Sequence, residues 1–125
     1  MKKKGKYIQK LNELGMGDLA KVGGKNASLG EMIQNLTAQD IKVPDGFAVT
    51  VDAFDAFIDE NNLKEKIQLA LEGLDTKDII QLRKVGSNIR KMISNGKFPI
   101  SVEKEILESY YLLSEEYGQE ATDIA

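Results

Sequence analysis

Two glycines and a lysine, Gly23-Gly24-Lys25, stand directly before an apolar repeat at Leu29, Met32, Ile33 and Leu36. That spacing, i, i+3, i+4 and i+7, is one face of a helix, and it predicts a helix from about Asn26 to Leu36 with Lys25 at its start. A lysine is unfavourable there by about a few tenths of a kcal/mol, because a helix N-terminus carries partial positive charge and unpaired amide donors. A phosphate or carboxylate would supply the missing negative charge, and glycines let the backbone come close to such a group. Gly23, Gly24 and Lys25 are therefore candidate anion-binding residues. The same residues also suit a flexible connection with a solvated lysine, and the local pattern leaves both readings open.

Two familiar nucleotide motifs are absent. A Walker A loop needs a glycine five residues before the Gly-Lys pair and Ser or Thr after it; those positions hold Leu19 and Asn26. Gly15-Met16-Gly17-Asp18-Leu19-Ala20 spells a G-x-G-x-x-A dinucleotide pattern, but the pattern must open a long helix. Here Val22-Gly23-Gly24 follows within a turn, so a loop with one short helical turn is expected.

Composition narrows the chemistry. The 125 residues suffice for one domain or a piece of one, and the charge is high but mixed, as in globular proteins. There is no cysteine, which excludes disulfide and thiol chemistry, and no histidine, which removes the commonest general base and zinc ligand. No catalytic residue and no metal ligand is assigned within the chain. Lys2, Lys3, Lys4 and Lys6 hold four of the seventeen positive charges, leaving thirteen cations against twenty acids, a net of −7, from Tyr7 onward. No nucleic-acid partner is expected from such a body, and residues 1–6 read as a disordered basic tail. Gln9, Lys10, Asn12 and Glu13 break any apolar run after the tail, and no stretch is long enough for a membrane span, so a cytoplasmic protein is expected.

The elements that must position the lysine follow from the pattern. A short strand is expected between Tyr7 and Leu14, then Asp18 capping a single turn at Leu19 and Ala20. Gly30 inside the first helix costs about 1 kcal/mol against alanine, so a backbone or a ligand should pass close to that face. Pro44-Asp45-Gly46 is turn chemistry leading into a strand at Phe47-Ala48-Val49. Thr50 is expected to cap a helix from Val51 to Glu60 with Phe54, Phe57 and Ile58 on its core face. The spacing of these aromatics, with no interleaved basic residues, argues against a base-stacking platform.

Three further helices are read from Leu63, Ile67, Ala70, Leu71 and Leu74, stopped at Gly73; from Ile79, Leu82, Val85, Ile89, Met92 and Ile93, stopped at Asn95-Gly96; and from Val102, Ile106, Tyr110, Leu113 and Tyr117, capped by Ser101 and ended by Gly118. Arg83 and Arg90 share a face and could reach a common anion or be simply solvated. Asp123-Ile124-Ala125 reads as the opening of a further strand.

Gly23-Gly24-Lys25-Asn26-Ala27-Ser28-Leu29-Gly30-Glu31-Met32 followed by Val43-Pro44-Asp45-Gly46-Phe47-Ala48-Val49-Thr50 resembles the start of the phosphoenolpyruvate synthase family. Pyruvate phosphate dikinase and rifamycin phosphotransferase are relatives of that family. The similarity covers the whole chain and is strongest from about Leu11 to Phe57. It implies that the chain, 1–125, is a single-domain fragment, the N-terminal part of a nucleotide-binding domain of the ATP-grasp type. The implied fold class is α+β and predominantly helical, with a few short N-terminal strands packed with about five helices.

By this resemblance Lys25 corresponds to the ATP-phosphate lysine, Gly23 and Gly24 shape its loop, and Asn26 and Ser28 are further candidates for hydrogen bonds to the same ligand. ATP and Mg2+ are the implied cofactors. The implied partners are the remaining domains of a parent enzyme, one with a phosphorylated histidine and one that binds pyruvate. An arginine-serine-serine segment carrying a second phosphate-contacting cation is expected beyond Ala125. Asp45 and Val51 depart from the second proline and second threonine the family often has; neither touches the lysine. The chain alone is expected to bind ATP feebly or not at all and to catalyse nothing. The competing reading is a stand-alone helical module that binds an anion or a partner. Within the family the phosphoryl acceptor, pyruvate, phosphate or rifamycin, is left open.

Overall fold

The computed structural model describes residues 5–118. Residues 1–4 of the tail expected over 1–6, and the expected strand at Asp123–Ala125, lie outside them; Gly5 and Lys6 are within, their carbonyls accepting from Gln9 Nε2 and the Thr50 hydroxyl at 2.9 Å each. Among the described residues the chain is mainly helical: β1 (Ile8–Lys10), α1 (Leu19–Thr37), β2 (Phe47–Val49), α2 (Val51–Glu60), α3 (Leu63–Leu71), α4 (Ile79–Ser94) and α5 (Ile100–Glu116), with two 3-10 turns at Leu11–Glu13 and Met16–Asp18. The expected α+β, helix-dominated class with short strands near the start is the one observed. The described residues divide into two compact units, one made of residues 5–54 and 100–118, the other of residues 55–99.

In the first unit β1 pairs with β2 antiparallel, Ile8 opposite Val49, Gln9 opposite Ala48 and Lys10 opposite Phe47. The strand expected over Tyr7–Leu14 is thus cut to three residues. Its partner is only three residues long, and beyond Lys10 the chain turns into the 3-10 segment, where the Leu11 N–H donates to the Gly46 carbonyl at 3.0 Å. Leu14, Val22, Ala27 and Ala48 form the core, with Leu11 packed against it. From α5, Val102 is fully buried and Ile106, Tyr110 and Leu113 are half-buried, as their spacing requires. Tyr117 is exposed instead, but its hydroxyl oxygen accepts the Asp45 N–H at 2.8 Å and so fixes the turn before β2.

Several local expectations give way to longer-range contacts. The Asp18 carboxylate accepts the Gly15 N–H at 3.1 Å, closing the turn before it rather than capping the one after. The Thr50 hydroxyl donates to the Lys6 carbonyl at 2.9 Å, while the Thr50 carbonyl accepts the N–H groups of Ala53 and Phe54. Helix α5 begins at Ile100, so Ser101 lies inside it and not at its cap; buried Pro99 has its φ preset for that start. Phe54 and Met32 are exposed, leaving Ala53 and Phe57 on the buried side of α2 and Ile33 on that of α1.

The second unit pairs α3 with α4. Phe57 packs against Phe98 with ring centroids 5.5 Å apart, and Asn61 clasps Lys97 through both its N–H and its carbonyl at 2.8 Å. The Asp78 carboxylate caps α4 by accepting the Gln81 N–H at 3.2 Å. Gly73, in the left-handed region at φ 69°, lies just beyond the end of α3. No helix among the described residues is long and apolar enough to cross a membrane.

Candidate functional site

Helix α1 is not one continuous helix. At Gly23 the backbone swings to φ 81° and ψ 166°, and the helix restarts at once. Only glycine occupies that region without strain, so the first of the paired glycines is explained by the break itself. The helical turn before the break begins at Leu19, and the helix after it reaches Thr37, starting about two residues earlier than the apolar repeat alone predicted.

The break is held from both sides. Val22 just before it and Ala27 just after it are buried in the core, Ala27 completely. Between them Gly23, Gly24 and Lys25 are exposed. The first turn after the break, Gly24-Lys25-Asn26-Ala27, contains no acid, and the nearest downstream carboxylate is Glu31. Among the described residues Lys25 belongs to neither of the ion pairs, Lys10–Glu116 and Lys104–Glu108. A cation thus sits in the first turn of the restarted helix with no acid at ion-pair distance among the described residues, where the helix end adds its own partial positive charge.

The remaining candidates are used differently. Asn26 is half-buried and its Nδ2 donates to the Val22 carbonyl at 3.0 Å, spanning the break and pairing a carbonyl that the interrupted helix would leave open. That bond gives Asn26 a structural task at the same place. Ser28 is exposed one turn above Lys25, its hydroxyl 3.9 Å from the Met16 sulfur, a weak contact that leaves the oxygen accessible. The structure therefore brings Gly23, Gly24, Lys25 and Ser28 to one exposed turn, with Asn26 bracing it.

Gly30 faces a backbone. A Cβ there would lie 2.5 Å from the Leu14 carbonyl oxygen, 2.6 Å from Leu14 Cβ and 2.8 Å from the Leu11 carbonyl oxygen. Around this crossing Gln34 Nε2 donates to the carbonyls of Leu14 at 2.6 Å and Asn12 at 3.3 Å, and Glu31 Oε2 accepts the Met16 N–H at 3.1 Å. Sequence reasoning did not single out Glu31 and Gln34. The mid-helix glycine was the signal that could have led to them, since a polar residue next to a close backbone approach has a natural partner there. Met16–Asp18 is a 3-10 turn with Gly15 at its N-cap, and the first helical turn of α1 follows it from Leu19. Arg83 and Arg90 are both exposed on α4, with Arg90 Nη1 lying over Gly86.

Comparison with known proteins follows the same residues. Residues 19–125 match the family model for the pyruvate phosphate dikinase, AMP/ATP-binding domain. The chain is 45% identical over 115 residues to a phosphoenolpyruvate synthase of Aquifex aeolicus, covering 92% of this chain and 13% of that protein. It is 47% identical over 103 residues to the phosphoenolpyruvate synthase of Escherichia coli, covering 82% and 13%. With the phosphoenolpyruvate synthase of Helicobacter pylori it shares 39% identity over 120 residues, covering 96% and 15%. The chain spans only about an eighth of the length of the first two relatives. Its glycine-broken helix and exposed lysine fall inside the matched region, and the chain belongs to the pyruvate phosphate dikinase AMP/ATP-binding domain family.

Proposed function

We propose that this chain supplies part of the ATP-phosphate site of a larger phosphotransferase of the phosphoenolpyruvate synthase type, with Lys25 as its cation. The observation that carries the reading is the Gly23 break, which restarts α1 with an exposed lysine and no acid in the new first turn. Phosphoryl transfer needs cations and amide dipoles arranged around charge spread over phosphate oxygens, and this turn presents both. Gly23 and Gly24 keep the approach free of side chains, Ser28 offers a hydroxyl, and Asn26 keeps the break in shape.

The contribution is partial. An exposed ion pair stabilises by about 1 kcal/mol or less, whereas micromolar nucleotide binding requires about 8. In the parent enzyme ATP would phosphorylate a histidine on another domain, which would hand the phosphoryl group to pyruvate. The chain would be the N-terminal subdomain of an ATP-grasp-type domain in a cytoplasmic enzyme. The described residues offer no set of three or more acidic side chains able to hold a metal ion, and no magnesium role is assigned to them.

Lys25→Met in the full-length enzyme tests the reading. ATP-dependent turnover is expected to vanish while circular dichroism and melting temperature stay at their wild-type values; unaltered turnover would refute it. Titrating ATP and magnesium into the 125-residue chain should move only amide signals near residues 23–28 and remain far from saturation. Tight, saturable binding would show that the site is already complete and refute its partial character.

A further inference from the structure

One face of α1 is shaped to hold the segment that precedes it. Glu31 Oε2 accepts the Met16 N–H at 3.1 Å, Gln34 ties down the Leu14 carbonyl, and Gly30 leaves room for the backbone between them. Gly15 fits the same contact, since a Cβ there would come within 2.9 Å of the same Glu31 oxygen. The pinned segment then runs through the Met16–Asp18 turn and Leu19 to the break at Gly23.

That segment rests on residues either side of Lys25. The Met16 sulfur lies 3.9 Å from Ser28 Oγ, and Leu19 Cδ1 lies 3.6 Å from where a Cβ on Gly24 would be. Met16 and Leu19 are themselves 54% and 50% exposed, so burial does little to hold them in place. The Glu31 bond is the polar tie at Met16 itself.

We infer that Glu31 is a positioning residue for the nucleotide-phosphate site. It sits about 9 Å along the helix from Lys25, at 1.5 Å per residue, and acts by fixing the Gly15–Asp18 turn beside the turn that carries the lysine. The inference rests on the reading of Lys25 proposed above. It assigns Glu31 no contact with the ligand.

The bond can be cut from either end in the full-length enzyme. Glu31→Leu removes the acceptor, and Glu31→Gln keeps an acceptor oxygen. Met16→Pro removes the donor in a position suited to proline, because Met16 opens a 3-10 turn and Gly15 before it is extended at φ −149° and ψ −175°. Should Glu31→Leu fail to fold, Met16→Pro cuts the same bond; because it also removes the sulfur that touches Ser28, Met16→Ala, which keeps the N–H, is run beside it and is expected to leave KM for ATP within about twofold of wild type.

Glu31→Leu and Met16→Pro are each expected to raise KM for ATP about fivefold, as for a lost charge-assisted hydrogen bond. kcat and KM for the phosphoryl acceptor should hold, and melting should stay within about 2 °C. Glu31→Gln should stay within about twofold of wild type, and the Glu31→Leu, Met16→Pro double variant should be no worse than Met16→Pro alone. Unchanged KM for ATP in Glu31→Leu and Met16→Pro, damage by Glu31→Gln equal to that by Glu31→Leu, or additive effects in the double variant would each overturn the inference. Lys25→Met run in parallel separates the failures. If it abolishes turnover while Glu31→Leu and Met16→Pro do nothing, Glu31 alone loses its role; if it leaves turnover intact, the phosphate site falls too.

Discussion

Replacing Gly30 by alanine opposes two effects whose signs differ. In an isolated helix the change is favourable by about 1 kcal/mol, because alanine loses less backbone freedom than glycine. In this chain the new methyl would stand 2.5 Å from the Leu14 carbonyl oxygen, 2.6 Å from Leu14 Cβ and 2.8 Å from the Leu11 carbonyl oxygen. Two of those three atoms are backbone, so no rotamer change can move them aside.

Overpacking of this kind costs about 1–3 kcal/mol where the neighbour yields. If residues 11–14 lift away, the Gln34 bond to Leu14 goes as well, worth about 1 kcal/mol. Leu14, 1% exposed, then gives up part of a burial worth about 2 kcal/mol. The clash therefore exceeds the propensity gain, and Gly30→Ala is expected to destabilise the chain by about 2–4 kcal/mol. Urea unfolding of the 125-residue chain followed by circular dichroism measures this as a lower midpoint at unchanged slope. Gly17→Ala is the control, since nothing lies within 4 Å of its Cβ position and its φ is not positive. A Gly30→Ala chain as stable as wild type, or more so, would show that propensity governs this position and that the close crossing of residues 11–14 is not native.

Other substitutions separate the roles of neighbouring residues. Gly23→Ala should destabilise by about 1–3 kcal/mol through backbone strain alone, because its Cβ would meet nothing within 4 Å at φ 81°. Gly24→Ala, at ordinary contact with Leu19, should be neutral or stabilising, and equal thermal melts for the two variants would argue against the break. Asp78→Ala removes the cap of α4 and should lower stability by about 1 kcal/mol, read as faster amide exchange at residues 79–82; unchanged exchange there would show that the cap contributes nothing.

The elements were legible where the governing physics is local. The strand Phe47–Val49 and the helix Val51–Glu60 lie where pattern and turn residues placed them, and so do the stops near Gly73, Asn95-Gly96 and Gly118. Helical periodicity and the conformational range of glycine act over a few residues and can be read from them. The Gly-Gly-Lys sequence likewise announced an unusual helix start without showing that the first glycine breaks a helix already under way.

Tertiary structure decided which partner each polar side chain takes. Asp18, Thr50 and Ser101 are all good capping residues in isolation, yet Asp18 serves Gly15, Thr50 serves Lys6 and Ser101 lies past the helix start. Gly30 could have faced a ligand or a backbone, and only the path of residues 11–14 settles that it is a backbone. Gln34 and Leu14 are 20 residues apart, and Thr50 and Lys6 are 44 apart. Short polar side chains accept many partners at similar energy, so the choice passes to whichever backbone group the fold carries to them. Lys25 stands out because, among the described residues, it belongs to neither ion pair.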